Sequence, residues 1–280
     1  MTKRLILILL LSSSLLLTGC VSMLAGGMAN NLSNAMLNQD DPETVKSGMA
    51  AYLILIDSLI ANSPDDTDLL ISGSRLYGAY GGSLVTNPER KKRLSAKALN
   101  YAERAFCPKN PTICEHRKGD FSKLIAATTT LNESDKKSLY TFATAWAGWI
   151  QARTEDWEAI AELPKAEHLL QRLVEIDPGA EAGRAQLYLA VIRSQLPPAL
   201  GGKPEQGKRH FELALQYSEG NDLIIKVEYA RFYARLIFDQ TLHDRLLTEV
   251  VEANPESPGL TLSNTIAQQQ AKLLLEEEYF

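Results

Sequence analysis

The chain has 280 residues, of which 45% are hydrophobic and 22% charged, and its formal net charge is −5 at pH 7. A chain of this length can bury a sizeable core as one large domain or two small ones. Its acidic balance and the lack of a basic patch exclude nucleic acid as an expected partner.

The N-terminus has the pattern of an export signal, with Lys3 and Arg4 before an apolar run at 5–17. That run is shorter than the roughly 20 apolar residues that span a bilayer. Residues 17–20 read Leu-Thr-Gly-Cys, the lipobox pattern of bacterial lipoproteins, in which acyl chains are attached to the cysteine. We therefore predict that residues 1–19 are removed and that Cys20 is acylated. An ordinary secretory signal with an incidental cysteine is the alternative.

Val21 follows the cysteine at the position where an aspartate favours retention at the inner membrane in many Gram-negative bacteria. We therefore expect the protein at the periplasmic face of the outer membrane. Residues 20–38 contain Gly26, Gly27 and several asparagines, and they are predicted to form the lipidated N-terminus and a tether. Residues 39–280 are predicted to form a single helical domain.

Helical periodicity with capping signals continues through this domain, and no segment alternates as a strand would. The fold class predicted is therefore all-α. Several of the predicted helices begin at a capping residue or a proline. The predicted helices cover about 42–62, 65–84, 88–106, 136–153, 164–177, 181–196, 204–219, 223–238, 240–253 and 260–280.

Small and bulky residues recur at the spacing found in the second helix of a tetratricopeptide (TPR) hairpin. In such hairpins, small residues let the paired helices approach closely and bulky residues fill the groove between hairpins. Three segments match this spacing: Ala98, Ala102 and Ala105; Ala166, Leu170, Leu173 and Pro178; Gly207, Phe211 and Ala214. The matches favour a TPR-like stack of helical hairpins, an α-solenoid, over a generic helical bundle.

Cys107 and Cys114 are the two cysteines beyond the lipobox. Beyond the inner membrane the compartment is oxidising, so the pair is predicted to form a disulfide that closes a short loop between helices. Two free thiols are the alternative. Their spacing does not fit the CxxC pattern of redox or zinc sites.

Motifs for chemistry are missing from the sequence. The four histidines are far apart, and HExxH, GxSxG and P-loop patterns do not occur. His243-Asp244-Arg245 is interpreted as a charged helix face, because neighbouring helical residues point in different directions. We therefore expect no enzyme, no catalytic residue, no metal and no cofactor.

Aromatic side chains are the residues most open to a binding role. Tyr77 and Tyr80 lie among four glycines, Trp146 and Trp149 share a helix face, and Tyr229 and Tyr233 belong to a stripe at helical spacing. Such stripes usually belong to the core. The alternative is an apolar cavity with polar anchors, and the anchors would be Arg231, Arg235, Asn264 and Gln268.

The segment Gly201-Gly202-Lys203-Pro204 predicts a sharp turn before a helix, because proline suits the first helical position. Lys203 beside that helix N-terminus would suit a carboxylate. The alternative is that the segment only shapes the connection between two hairpins.

The sequence from Leu163 onward is similar to one family. The resemblance is carried by Leu163-Pro164-Lys165-Ala166-Glu167, Leu200-Gly201-Gly202-Lys203-Pro204-Glu205, Tyr229-Ala230-Arg231, Tyr233-Ala234-Arg235, Leu242-His243-Asp244-Arg245-Leu246-Leu247 and 260–268. These segments resemble the TatT lipoproteins, the T components associated with TRAP (tripartite ATP-independent periplasmic) transporters. The similarity covers nearly all of the chain after the signal, but the segment from Pro108 to Thr130 fits no family pattern.

The resemblance implies a TPR-like periplasmic body that engages the substrate-binding (P) protein of a TRAP transporter. It also implies a role in handling a hydrophobic or organic-acid ligand, and it allows a homo-oligomer. The alternative function is that of a TPR lipoprotein that assembles envelope or outer-membrane machinery.

Overall fold

The computed structural model describes residues 34–280, so the predicted signal peptide, the predicted lipid attachment at Cys20 and most of the predicted tether lie outside the described residues. Within 34–280 the chain forms α-helices and no strand, which confirms the all-α prediction. The helices are α1 Pro42–Asn62, α2 Thr67–Ala79, α3 Pro88–Phe106, α4 Pro111–Glu115, α5 Phe121–Thr128, α6 Lys136–Gln151, α7 Trp157–Ala161, α8 Leu163–Ile176, α9 Arg184–Arg193, α10 Pro204–Tyr217, α11 Ile224–Glu228, α12 Gln240–Glu252 and α13 Thr261–Glu276.

The helices form a stack of hairpins in chain order. Helix α1 packs on the hairpin α2–α3, and α3 then packs on α6 of the next hairpin, α6–α8. Helix α8 packs on α9, which pairs with α10. The last hairpin consists of α11 and α12, and α13 closes the stack against them. This order, in which each hairpin contacts the next, is that of a helical solenoid.

The capping signals form the helix starts that the sequence predicts. The carboxylate of Asp41 accepts a hydrogen bond from the amide of Glu43 at 3.0 Å, and Asn87 caps α3 through the amide of Arg90 at 2.9 Å. Pro42 and Pro88 take the first helical positions. Each of these contacts satisfies an amide that would otherwise have no partner in the first turn.

Two predicted helices are less regular than expected. The segment predicted as one helix to residue 84 ends its α-helical part at Ala79 and continues as a π-helical turn, Tyr80–Leu84. Helix α11 likewise passes into a π-helical turn at Tyr229–Ala234. Hydropathy periodicity does not distinguish these turns from an α-helix, because the two geometries differ by less than one residue per turn.

Buried side chains form three clusters along the stack. Residues at the TPR-like repeat positions lie inside them: Ala98, Ala102, Ala105, Ala166, Leu170, Leu173, Phe211 and Ala214 are all buried. Gly207 marks the closest approach, since a Cβ there would lie 2.1 Å from Ser194 Oγ and 3.0 Å from the carbonyl oxygen of Ala190. The small residues therefore let α9 and α10 pack closely.

Replacing Gly207 with alanine is expected to lower the free energy of unfolding by about 2 kcal/mol, because the new methyl group overlaps α9. Gly148 in α6 is the matched control, since a Cβ there meets no atom within 4 Å. Gly148→Ala is expected to leave stability unchanged or raise it by up to about 1 kcal/mol. Urea denaturation followed by circular dichroism measures both variants, and equal effects would contradict the close approach.

The first and last segments of the described chain meet. Asn38 Oδ1 accepts a hydrogen bond from the amide of Gly259 at 2.8 Å, and α13 contacts α1. Leu262 on α13 also packs against the cluster that contains α1. Residues far apart in sequence are therefore brought close to one another.

Helix α1 is long and apolar enough, by length and composition alone, to cross a membrane. One face of it packs in the core, where Val45, Met49, Leu53, Ile56 and Ile60 are buried. The core helix of a globular fold meets the same test of length and composition.

Candidate partner and ligand surface

Tyr77 and Tyr80, predicted as cavity residues or core, lie in the first of the three core clusters in chain order, the one formed by α1, α2 and α3. The Tyr77 hydroxyl donates to Asp57 at 2.8 Å, and Arg90 donates to the Tyr80 hydroxyl at 3.2 Å. Asp57 also accepts hydrogen bonds from Tyr101 and Lys97. Burial would raise the pKa of Asp57, but these three donors outweigh burial and lower it. The two tyrosines thus connect the core to a polar cluster between α1, α2 and α3.

Trp146 is fully buried in the second core cluster, and Trp149 is partly buried beside it. The indole Nε1 of Trp146 donates to Glu162 at 2.7 Å. The guanidinium of Arg117 lies 5.3 Å from the centre of the Trp146 ring and 5.7 Å from that of Trp149. These are distances of a cation–π contact, so Arg117 covers both rings.

Tyr229 and Tyr233 are buried in the third core cluster. Tyr229 stacks on Phe211 with ring centres 4.7 Å apart, and the Tyr233 hydroxyl donates to Glu205 at 3.1 Å. The aromatic residues at the predicted positions therefore lie in three different clusters. The structure does not bring them together around one cavity.

The predicted polar anchors contact protein groups. Arg231 donates to Glu228 at 2.7 Å and to Gln270 on α13 at 3.0 Å, and Arg235 donates to Glu277, just after α13, at 2.7 Å. Asn264 is buried and accepts from the amide of Leu223 at 2.9 Å, while Gln268 donates to three carbonyl groups at the end of α12. These contacts hold α13 in place, and a role in binding stays a prediction.

Lys203 is exposed at the start of α10, and its amide donates to the carbonyl of Arg193 at 2.9 Å. Gly202 fits against the carbonyl of Leu196, since a Cβ there would lie only 1.6 Å from that oxygen. Gly201 has a φ of +88°. The segment therefore shapes the connection between α9 and α10, and a carboxylate at Lys203 stays a prediction.

The structure has a disulfide between Cys107 and Cys114, with a Cα–Cα distance of 5.7 Å. It closes the turn between α3 and α4, at the start of the segment that sequence reasoning could not place in the family pattern. Arg117 lies just after it, and Lys165 Nζ donates to the carbonyl groups of Arg117 at 2.8 Å and Gly119 at 2.7 Å. The disulfide, Arg117 and Lys165 together hold this segment over the tryptophans.

A set of polar and aromatic residues that sequence reasoning missed follows the first helices of successive hairpins. We call it the Arg75–Ser263 face, and it consists of Arg75, Tyr140, Thr141, Glu181, Arg184, Tyr188, Asp222 and Ser263. Contacts join it from α2 through α6 and α9 to α13. Its members are separated by up to 106 residues where they pair, as between Arg75 and Glu181, and no local pattern signals such pairs.

Arg75 joins three elements on this face. It donates to Glu181 at 2.7 Å and to Thr141 at 3.2 Å, and its guanidinium lies 5.2 Å from the centre of the Tyr140 ring. Glu181 has a positive φ of 51°, followed by 50° at Ala182. L-residues adopt this left-handed conformation at a cost of roughly 1–2 kcal/mol each, so the turn that presents Glu181 is strained.

Arg184 joins the other half of the face. It donates to Asp222 through Nε at 2.7 Å and through Nη2 at 3.2 Å, and Nη2 also donates to Ser263 at 3.1 Å. Burial alone would lower the pKa of Arg184, but the carboxylate of Asp222 outweighs burial and raises it. Such a two-pronged pair holds the guanidinium in a fixed orientation.

Tyr140 and Tyr188 lie between these two ion pairs. Burial raises the pKa of both hydroxyl groups, although both residues keep part of their surface exposed. Both side chains are therefore half-buried on this face. Within residues 34–280 neither hydroxyl forms a hydrogen bond, so both can bind a group that enters from solvent.

A metal site is not indicated in the described part of the chain, where no group of three His, Cys, Asp or Glu side chains could hold an ion. The Arg75–Ser263 face offers hydrogen-bond donors, aromatic rings and fixed charges. These groups suit recognition of another molecule.

Comparison of the sequence with known proteins gives two findings. The chain matches no curated protein. Residues 38–280 match the family described as TAtT, TRAP transporter T-component, which covers nearly all of the described chain. The chain therefore belongs to the TRAP transporter T-component family.

Proposed function

We propose that this protein is a lipid-anchored accessory component of a TRAP transporter that binds the substrate-binding protein of that transporter through the Arg75–Ser263 face. Its acyl chains at Cys20 hold it at the periplasmic face of the outer membrane. Membership in the T-component family supports the link to the transporter. The observation that carries the choice of surface is the continuous polar and aromatic face from α2 to α13.

The composition of this face fits a protein partner. Arginine and tyrosine are enriched at the energetic centres of protein interfaces. The charges of Arg75, Glu181, Arg184 and Asp222 are paired within the chain, so a partner does not have to neutralise them. No chemical step is part of this function.

A ligand role rests on Tyr140 and Tyr188. Their hydroxyl groups have no hydrogen-bond partner among residues 34–280, and the guanidinium of Arg75 lies on the Tyr140 ring. Phenol donors beside an arginine suit the carboxylate of an organic acid, while the rings suit its apolar part. We therefore include the transient holding of an organic acid in the proposed function.

Arg75→Ala is expected to weaken binding of the substrate-binding protein roughly tenfold, because an arginine at an interface centre typically contributes more than 1 kcal/mol. The partner in this test is the substrate-binding protein of a TRAP transporter from the same organism, and isothermal titration calorimetry measures its affinity with and without bound substrate. Arg245→Ala is the control, because Arg245 is 58% exposed and its ion pair is with Glu249 on its own helix.

Two results would overturn the proposal. The first is the lack of any complex with either form of the substrate-binding protein, by calorimetry or by crosslinking. The second is equal affinity of the Arg75→Ala and Arg245→Ala proteins, which would remove the Arg75–Ser263 face from the interface. Mass spectrometry of the purified protein tests the acyl groups at Cys20 separately.

A further inference from the structure

Helix α1 has an outer face that no described element covers. Ile54 is 71% exposed and Leu55 is 45% exposed, and Leu37 just before the helix is 41% exposed. A groove of about 390 Å³ runs beside them, lined by Met36, Val45, Gly48, Ala51, Tyr52 and Leu55. Exposed apolar surface of this kind marks a binding site more often than chance.

Charge is missing from this face. Asp57 is the only charged residue from Ser47 to Pro64. Its carboxylate is turned toward α2 and α3, where it accepts hydrogen bonds from Tyr77 at 2.8 Å and Tyr101 at 2.6 Å and pairs with Lys97. The outward face of the helix is therefore neutral over about four turns.

The opposite face of α1 is packed on α2. Its buried side chains, among them Met49, Leu53 and Ile60, cannot leave the core without exposing it to water. The helix therefore cannot span a bilayer in this fold, although its length and composition would allow it. Only its outer face is free to contact lipid.

The position of α1 in the chain decides which occupant this face meets. Thirteen residues lie between Cys20 and Asn34, and a chain of that length reaches at most about 50 Å. If Cys20 is acylated, the bilayer is held within that distance of α1. Tethering of this kind raises the effective concentration of the bilayer at α1, so that even a weak affinity of α1 for the membrane surface is enough for binding.

We propose that the outer face of α1 lies on the membrane surface and forms a second attachment beside the lipid anchor, with Ile54 and Leu55 buried among the lipid headgroups and upper acyl chains. This proposal rests on the lipid anchor of the proposed function. Apolar side chains on a surface helix bind membranes in this way, in proportion to the apolar area that they bury. The hairpin stack then projects from α1 on the side away from the lipid.

The test uses the acylated mature protein in vesicles of phosphatidylethanolamine and phosphatidylglycerol. Ile54→Cys provides a free thiol for an environment-sensitive fluorophore, since Cys107 and Cys114 are joined in a disulfide. Leu200→Cys is the matched control, because Leu200 is 68% exposed, close to the 71% of Ile54, and lies on the connection between α9 and α10. Lipids brominated on the acyl chains quench the fluorophore only when it contacts the bilayer.

We expect quenching at position 54 and none at position 200. Adding Leu55→Glu should reduce the quenching at position 54 roughly fivefold, because a carboxylate on the buried face opposes insertion. Leu200→Glu should leave it unchanged. Equal quenching at the two labelled positions, or no effect of Leu55→Glu, would overturn the proposal.

A second copy of the chain on this face would give a different result. The fluorophore at position 54 would then report an apolar environment without quenching by brominated lipid, and Leu55→Glu would lower the molar mass in light scattering. That result overturns the proposal.

The same labelled chain without acyl groups, mixed with vesicles, measures how strongly α1 binds the bilayer without the lipid anchor. Weak but measurable quenching is expected there, and failure of acylation is seen separately by mass spectrometry.

Discussion

Arg117→Ala is expected to lower the free energy of unfolding by about 3 kcal/mol, because it breaks a largely buried ion pair. The side chain of Arg117 is only 10% exposed, and it pairs with Glu103 and, at 3.6 Å, with Glu162. Its guanidinium also lies over the Trp146 and Trp149 rings. Removing it leaves the Glu162 carboxylate, itself 16% exposed, with the Trp146 indole as its remaining donor.

Urea denaturation of the oxidised protein measures this effect, and tryptophan fluorescence reports the change at the two rings. Arg245→Ala is the matched control, since Arg245 also pairs with a glutamate, Glu249 at 2.9 Å, but its side chain is 58% exposed. Exposed pairs of this kind contribute about 0–1 kcal/mol. Arg117→Lys keeps the charge but loses the planar contact with the rings, so we expect an intermediate loss. Equal losses for Arg117→Ala and Arg245→Ala would contradict this interpretation.

The importance of Arg117 could not be predicted from the sequence. It lies in the segment from Pro108 to Thr130, whose two helices, α4 and α5, have five and eight residues. Helices this short show too few turns for periodicity to be read. Sequence reasoning did find Cys107 and Cys114, because compartment and spacing alone favour a disulfide. It did not find what the disulfide holds in place.

Local signals predicted the helices well where they were strong. Helices α1 and α3 begin at the predicted prolines and end at the predicted residues, because their caps are made by neighbouring side chains. The repeat positions Ala166, Leu170 and Leu173 are all fully buried, as the TPR-like spacing implies. Both inferences need only contacts within a helix or between adjacent helices.

The candidate site was harder to predict, because it depends on contacts between residues that are far apart in sequence. The aromatic residues singled out from spacing lie in three core clusters. Spacing on a helix identifies an apolar face, and it does not distinguish a core from a cavity. The Arg75–Ser263 face depends on pairs such as Arg184 with Asp222, separated by 38 residues. These pairs form only once the hairpins have stacked.

Lowering the pH from 7 to 4 is expected to destabilise the protein through His210 by as much as about 3 kcal/mol, from a shift of the pKa between 6.5 and about 4. Burial lowers the pKa of this imidazole, and Arg193 and Arg209 add to the effect. Arg193 donates to His210 Nε2 at 2.7 Å, so that nitrogen must accept. The other nitrogen, Nδ1, lies 2.6 Å from Gln186 Oε1 and carries the proton. A second proton would oppose the arginine.

The direction of the effect follows from where the proton binds. In the unfolded chain His210 takes up a proton near pH 6.5, whereas the folded protein resists protonation until the pH falls to about 4. Between these values the unfolded state binds more protons, so the contribution of His210 to stability falls as the pH falls and is constant above pH 7. Carboxylates that titrate near pH 4 also make the free energy of unfolding depend on pH. Comparing the wild-type protein with a variant that lacks only His210 removes this shared contribution.

His210→Gln provides this comparison, because a glutamine can accept from Arg193 and donate to Gln186 without a titrating group. Urea denaturation of both proteins from pH 7 to pH 4 should show that the wild-type protein loses more stability. The difference between them should develop below pH 6.5. Identical pH dependence would contradict a neutral His210 in the folded protein. It would also mean that the link from Arg193 to Gln186, which joins α9 to α10, does not depend on the protonation of this ring.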